Sequence, residues 1–221
     1  MMRRWLEGWR LCRGLEPVVE YDDAYGVVLR LPGRERELFS RTDEPAIVAR
    51  LADQLPLGTW LTVTTHTGDE VAAQLLAAGA IPFDEHKTLM SIELSCHPQP
   101  SVGGYELTRF TDGPLSFVRL LAPDGSVAAH GMMAVVGTAA VMHDIQTDPA
   151  HRRRGLGSVV MGALAARAIE LGAETGLLMA TTDGFHLYTK LGWVAEATMV
   201  TASGARLGPV GGDLGPVLTG R

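Results

Sequence analysis

The pattern of hydrophobic and polar positions in the first half of the chain switches repeatedly between a two-residue period and a helical period. Alternating or continuously apolar stretches predict strands, and apolar residues three and four positions apart predict helices. The predicted strands are 18–21, 25–31, 35–39 and 60–64, with a strand or hairpin in 83–94, and the predicted helices are 3–13, a segment that begins at 42–45, and 69–78. This half is therefore expected to contain a complete mixed set of α and β elements.

The second half follows a segment from Cys96 to Gly104 that has the composition of a linker. The predicted strands there are 105–110, 117–121, 127–136, 139–147, 175–180 and 193–200, and the predicted helices are 158–171 and 185–191. The strands on either side of Gly137-Thr138 form a long hairpin. We therefore predict domains at 1–100 and 101–203, followed by a mobile tail rich in glycine and proline at 204–221.

Composition and charge narrow the class of protein. The 221 residues are 46% hydrophobic and 20% charged, which is typical of a globular chain, and the net charge of -6 argues against nucleic acid as a partner. No secretory signal and no membrane-spanning run is recognisable, so a cytoplasmic protein without a membrane partner is expected. The two cysteines, Cys12 and Cys96, form neither a disulfide framework nor a metal site, and no metal is expected.

The segment from Asp148 to Gly157 carries the strongest chemical signal, because it combines three arginines and two glycines between a strand and a helix. Glycines at 155 and 157 allow a tight turn and a close approach of the backbone to a ligand. The free N–H groups of the first helical turn favour an anion such as a diphosphate. The alternative is a basic turn in which the glycines serve geometry alone.

Two stretches together resemble the GNAT superfamily of acyl-CoA N-acyltransferases. The pattern Arg152-x-x-Gly155-x-Gly157 is similar to its acyl-CoA signature, and Leu187-Tyr188 followed by Gly192-Trp193 is similar to its Leu-Tyr-x-x-x-Gly-Phe segment, with tryptophan in place of phenylalanine. The resemblance covers about residues 105–200. It implies an α/β fold with a mixed sheet, and acetyl-CoA as the acyl donor.

The resemblance also implies roles for individual residues. Backbone groups of Ile145, Gln146 and Thr147 are expected to pair with the pantetheine amides, where neighbouring strands diverge. The diphosphate is expected to lie against the main chain of the residues that follow: Arg152, Arg153, Arg154, Gly155, Leu156, Gly157 and Ser158.

Catalysis by direct transfer to an amine needs a proton donor for the leaving thiolate and a proton acceptor for the ammonium group. The resemblance assigns the first role to Tyr188, whose alternative is a half-buried core tyrosine. The glutamate that some family members carry on the strand before the loop is missing here. Strand alternation places His143 on the same face as Ile145 and Thr147, which makes it the nearest candidate base, although a lone strand histidine is often structural.

The first half has the element order of a second GNAT-like unit. Its loop at 41–45 lacks the glycines and is acidic where phosphates would lie, so we interpret it as a degenerate repeat that does not hold the cofactor. Only 111–116 separates the first two strands of the second half, where the family usually has two helices that line the acceptor pocket. The first half is expected to supply that wall, and the fold is expected to comprise two tandem GNAT-like units.

The function that follows is N-acetyl transfer from acetyl-CoA to a primary amine. Two alternatives stay open at this point: a non-catalytic acyl-CoA-binding sensor on the same fold, and a structural interaction module. The acceptor classes that fit are small amines, amino acids, antibiotics and protein N-termini. The protein is expected to be a monomer or a homodimer.

Overall fold

The computed structural model describes residues 1–205, so that the predicted tail at 204–221 lies, from residue 206 onward, outside the described residues. The helices are α1 Met2–Cys12, α2 Pro45–Asp53, α3 Gly68–Ala77, α4 Leu156–Glu170 and α5 Thr182–Lys190. The strands are β1 Val19–Glu20, β2 Ala24–Leu31, β3 Arg34–Ser40, β4 Thr59–Thr65, β5 Ile81–Pro82, β6 Lys87–Glu93, β7 Glu106–Asp112, β8 Leu115–Leu121, β9 Val127–Val136, β10 Ala139–Thr147, β11 Thr175–Ala180 and β12 Val194–Ser203.

The described residues form two compact units. Unit 1 consists of 1–14 and 90–195, and unit 2 consists of 15–89 together with 196–205. These bounds differ from the predicted domains, because α1 packs on β9 and β10 and so belongs with the second half of the chain. The roles that the sequence assigns to the two domains stay predictions.

Unit 1 is a mixed sheet with a helix on each face. Its strand order is β6-β11-β10-β9-β8-β7, and β10 and β11 are parallel because α4 joins them as a crossover. A side chain at Gly131 would meet Val160 and Leu164 of α4, whereas a side chain at Gly8 of α1 would meet Val141. Val141 pairs with Ala134 of β9 and so shares its face, and Ala134 lies three positions from Gly131, on the opposite face. Helices α4 and α1 therefore cover opposite faces of β9 and β10.

The core of unit 1 lies mainly between the sheet and α4, whose alanines and valines allow close packing. On the other face, Trp5 and Trp9 of α1 are stacked with ring centroids 5.6 Å apart and are almost fully buried. Both tryptophans therefore serve core packing on this face of the sheet. The short β7–β8 connection is also as predicted, since Asp112 pairs with Leu115 across a tight turn.

Unit 2 has the strand order β1-β2-β3-β4-β12, and β5 also pairs with β12. The crossover helix α2 joins β3 to β4, which are parallel. Its buried residues Val48 and Leu51 pack with Leu38 and Leu61 of these strands in a separate core. None of the helices within residues 1–205 combines the length and the apolar character needed to cross a membrane.

Each unit contains an antiparallel hairpin, a crossover helix, a parallel strand and a second helix, in that order. The two units differ where the parallel strands separate. In unit 1, β10 continues from Met142 to Thr147 beyond its last pair with β11, which is Val141 with Leu177. In unit 2, only Ser40 of β3 lies beyond the last pair with β4. A long strand edge freed from its parallel neighbour is therefore found in unit 1 and has no counterpart in the described part of unit 2.

Candidate functional site

The turn before α4 has the backbone that its glycine predicts. Gly155 is the N-cap residue of α4 and has φ +80°, a left-handed conformation that costs a residue with a Cβ about 1–2 kcal/mol. Arg153 is also left-handed, with φ +63°. The chain therefore reverses direction sharply here and enters the helix without a capping side chain in the way.

The first turn of α4 presents main-chain donors that have no acceptor within the helix. The first helical bond of this end runs from the N–H of Val159 to the carbonyl of Gly155, at 3.2 Å. The preceding N–H groups of Leu156, Gly157 and Ser158 point out of the helix end, where the helix dipole favours negative charge. We call these three groups, with the turn Arg152–Gly155, the cradle; its donors fit the oxygens of a diphosphate.

Gly157 permits a close approach between the two sequence motifs. A Cβ at this position would lie 3.1 Å from Cδ2 of Leu187 in α5 and 3.7 Å from Oγ1 of Thr147 at the end of β10. The structure thus brings together the cradle, the end of the freed strand and the residue beside Tyr188. These are the segments that the sequence assigned to one site, and a helix and a strand separate them along the chain.

The three arginines of the cradle are exposed, and two of them have contacts that orient them. Arg152 donates from Nε to the carbonyl of Thr147 at 3.4 Å. Arg154 donates to the hydroxyl oxygen of Tyr105 at 2.9 Å, and that hydroxyl lies 3.0 Å from Nδ1 of His151. Since Arg154 can only donate, the tyrosine hydroxyl is free to donate to the histidine. Tyr105 therefore holds Arg154 at the rim of the cradle.

Replacement of Tyr105 by phenylalanine should weaken acetyl-CoA binding about two- to tenfold. The change removes the acceptor that orients Arg154 and keeps the ring that packs edge-on against His151, with centroids 5.7 Å apart. A hydrogen bond of this kind contributes about 0.5–1.5 kcal/mol. Titration calorimetry checks the dissociation constant, and the melting temperature serves as the control for folding. An unchanged constant would show that Arg154 needs no such support.

The freed segment of β10 contains a β-bulge that the sequence pattern does not reveal. His143 pairs with Met132 and Gln146 pairs with His130, so two residues of β10 stand opposite a single residue of β9. Asp144, inside the bulge, has φ +53°. Aspartate is one of the few residues besides glycine and asparagine that adopts this conformation readily.

The bulge overturns the predicted shared face of His143, Ile145 and Thr147. Alternation from Val141, which faces α1, places His143 on the α1 face, whereas the side chain of Ile145 lies under Gly131 among residues of α4. Thr147 likewise lies close to the start of α4. The extra residue shifts the alternation by one, so that His143 is on the opposite face of the sheet from the other two.

His143 is partly buried, and the burial lowers the pKa of its imidazole, with the nearby positive charge of Arg13 acting in the same direction. The negative charge of Asp144 acts against these two effects. The imidazole is therefore neutral at neutral pH and has a free lone pair, which is the state that a proton acceptor requires.

Tyr188 is a buried residue, only 8% exposed, at the C-terminal end of α5. Its ring lies back over Gly184, where a Cβ would come within 2.9 Å of it, and its centroid is 6.1 Å from that of Trp193. Burial raises the pKa of its phenol to about 12. The phenol therefore stays protonated over the working range and can donate a hydrogen bond.

Sequence reasoning missed the contact of Tyr105 with Arg154 and the bulge at Asp144. No local signal connects Tyr105 to Arg154, because 49 positions separate them. A signal for Asp144 did exist, since aspartate is depleted in strands and tolerates the left-handed conformation, which together favour a bulge. Among residues 1–205, no group of three or more histidine, cysteine, aspartate or glutamate residues is placed to hold a metal ion.

Comparisons with known proteins indicate one family and one fold. Residues 86–193 match the model of the acetyltransferase (GNAT) family. A GCN5-related N-acetyltransferase from Kribbella flavida superposes with a TM-score of 0.67 at 17% identity, covering 96% of this chain and 95% of that one. No curated protein sequence matches the chain.

Two further solved structures are similar. A GCN5-related N-acetyltransferase from Sphaerobacter thermophilus has a TM-score of 0.60 at 13% identity, covering 84% of this chain and 79% of that one. A tandem GNAT protein from the clavulanic acid biosynthesis pathway, solved without AcCoA, has a TM-score of 0.59 at 15% identity, covering 85% and 80%. At these identities the likeness shows the fold, and the predicted mixed α/β GNAT fold is confirmed.

Proposed function

The chain carries an acetyltransferase (GNAT) family domain at residues 86–193, and on this premise we propose that it transfers the acetyl group of acetyl-CoA to a primary amine. The family supports transfer of an acyl group from an acyl-CoA. That the acyl group is acetyl, and that the acceptor is an amine, are what we propose beyond this. The main support for the proposal is the position of the cradle. It lies at the end of a strand edge that has separated from its parallel neighbour.

The residues of the site fit both ends of such a donor. The cradle offers main-chain N–H groups and arginines to the diphosphate. The edge of β10 beyond Val141 has no pair with β11, so backbone groups of Ile145, Gln146 and Thr147 are available on that side for the pantetheine amides. The bound donor supplies a thioester carbonyl that an amine can attack.

Side chains near the freed strand accept the proton of the acceptor and donate to the leaving sulfur. The acceptor ammonium must lose a proton before its nitrogen forms the new C–N bond, and the neutral imidazole of His143 takes that proton directly or through water. As the C–S bond breaks, the sulfur receives the electron pair and Tyr188 donates a hydrogen bond or proton to it. A phenol with a pKa of about 12 is a weak acid beside a thiol of about 8.5, so hydrogen-bond donation is its main contribution.

Unit 2 fits the proposal of a degenerate repeat that holds no donor. Its crossover helix α2 begins after Glu44, and the carboxylate of Asp43 in the same loop accepts a hydrogen bond from Thr65. Negative charge at this helix start opposes a phosphate, and β3 has almost no freed edge. One acetyl-CoA is therefore expected per chain. That unit 2 lines the acceptor site stays a proposal drawn from the sequence.

The proposed function is tested by incubating the protein with acetyl-CoA and a panel of primary amines while free thiol is measured. Amine-dependent release of thiol together with acetylated product supports the proposal. Stabilisation by coenzyme A in a thermal melt, with no thiol released by any amine, would favour the acyl-CoA sensor instead. No stabilisation by coenzyme A would exclude both and leave an interaction module.

The pH dependence of kcat tests the role of His143. Because burial lowers the pKa of this imidazole, it becomes protonated only below its usual value of about 6.5, and kcat should fall only as the pH drops through that lowered value. His143→Gln should reduce kcat about tenfold at neutral pH and remove this acidic limb. An acidic limb that persists in the variant would assign the titration to another group.

A further inference from the structure

The side chain of Asp144 has no role in the donor site described above. The residue lies in the bulge of β10, with φ +53°, three residues beyond the last pair between β10 and β11. Its carboxylate accepts a hydrogen bond from Nε2 of Gln146 at 2.5 Å, and Nε2 of His130 lies 3.4 Å away. A β-bulge is often found beside an active site, where it turns a side chain toward a ligand.

The carboxylate of Asp144 faces away from the cradle helix. Gly131 of β9 faces α4, so the adjacent residue His130 points to the opposite face. The carboxylate lies beside the His130 ring and therefore on that face too. His143 shares this face. The cradle and the pair of His143 and Asp144 thus lie on opposite sides of the freed strand.

The polar contacts of Asp144 leave its carboxylate accessible to a cation. The side chain is 43% exposed, and its two polar neighbours are the neutral amide of Gln146 and the imidazole of His130. Arg13, at the end of α1, is a positive charge on this side of the sheet, and it acts on His143 in the direction opposite to Asp144. A carboxylate beside a proton acceptor offers an ammonium ion both attraction and a route for its proton.

We propose that Asp144 is the acceptor-positioning and specificity-determining residue of the site, which binds the positive charge of the acceptor next to His143. This inference rests on the proposed function. A carboxylate attracts a cation and repels an anion. The site therefore prefers an amine with a second positive charge, accepts an amine with no other charge, and disfavours an amine that carries a carboxylate. The class of acceptor is therefore a cationic amine rather than a free amino acid.

Asp144→Asn is the variant that isolates this role. Asparagine adopts the left-handed conformation as readily as aspartate does, and its side-chain oxygen can still accept from Gln146. The change therefore removes the charge and keeps the bulge. Asp112→Asn is the matched control, because Asp112 is an exposed carboxylate of unit 1 at the end of β7 and its loss changes the net charge equally.

Three probe acceptors differ only in the far end of a four-carbon amine: 1,4-diaminobutane, butylamine and 4-aminobutyrate. In the wild-type protein kcat/KM should decrease in that order. Asp144→Asn should reduce the ratio of kcat/KM for 1,4-diaminobutane to that for 4-aminobutyrate about fivefold or more, with the effect shrinking at high salt. The dissociation constant for acetyl-CoA and the melting temperature should stay as in the wild type.

The outcomes separate this inference from the proposed function. An unchanged ratio in Asp144→Asn, or the same change in Asp112→Asn, overturns the role of Asp144 while amine acetylation stands. A wild-type preference for 4-aminobutyrate also overturns it. Failure of the wild type to acetylate any of the three amines overturns the proposed function, and the inference with it.

Discussion

Gly155→Glu should weaken acetyl-CoA binding by at least about 100-fold while the protein stays folded. The substitution places a carboxylate at the start of α4, where the diphosphate would meet the free N–H groups of the helix, and like charges at close range repel strongly. The left-handed φ of +80° adds a backbone cost of about 1–2 kcal/mol. Titration calorimetry measures the loss.

Gly172→Glu is a matched control for that experiment. Gly172 has φ +84°, and a Cβ added there would have no atom within 4 Å, as at Gly155, but the residue follows the C-terminal end of α4. The backbone cost is therefore the same, and binding should be kept. Equal losses in the two variants would show that backbone strain, not charge in the cradle, accounts for the effect. Gly155→Ala adds a Cβ without a charge, so its effect on binding measures the contribution of backbone strain alone.

Tyr188→Phe should lower kcat about 100-fold with little change in the affinity for acetyl-CoA. A hydrogen bond to a charged group contributes about 1.5–3 kcal/mol, and the developing thiolate is charged only as the C–S bond breaks. Phenylalanine keeps the ring over Gly184 and against Trp193, so the melting temperature should move little. Steady-state kinetics and a thermal melt measure the two effects.

The pH profile adds an independent check on Tyr188. Because burial raises the pKa of the phenol to about 12, the proton is lost only far above neutral pH, and kcat should show no alkaline decline from this group below about pH 10. Unchanged turnover in Tyr188→Phe would mean that the thiolate leaves without help from the residue. A fall in stability that matches the fall in activity would mean that the hydroxyl has a structural role.

The period of apolar residues was sufficient to predict most elements of this chain. The hairpin at 127–136 and 139–147 and the strand at 175–180 have the predicted bounds, because alternation and a continuous apolar run are local signals. Helix α4 begins at Leu156 rather than at 158, since Gly157 is tolerated in a first helical turn. The first helix was likewise visible from the spacing of its apolar residues, but its partner strands were not.

The sequence alone determined where the cradle lies, because a left-handed glycine and a helix start are decided by neighbouring residues. The tertiary structure decided how far β10 separates from β11, which face of the sheet His143 occupies, and that Tyr105 supports Arg154. Each depends on strand register or on contacts between distant residues. A single extra residue in a strand reverses every face that follows it, and no local period records that insertion.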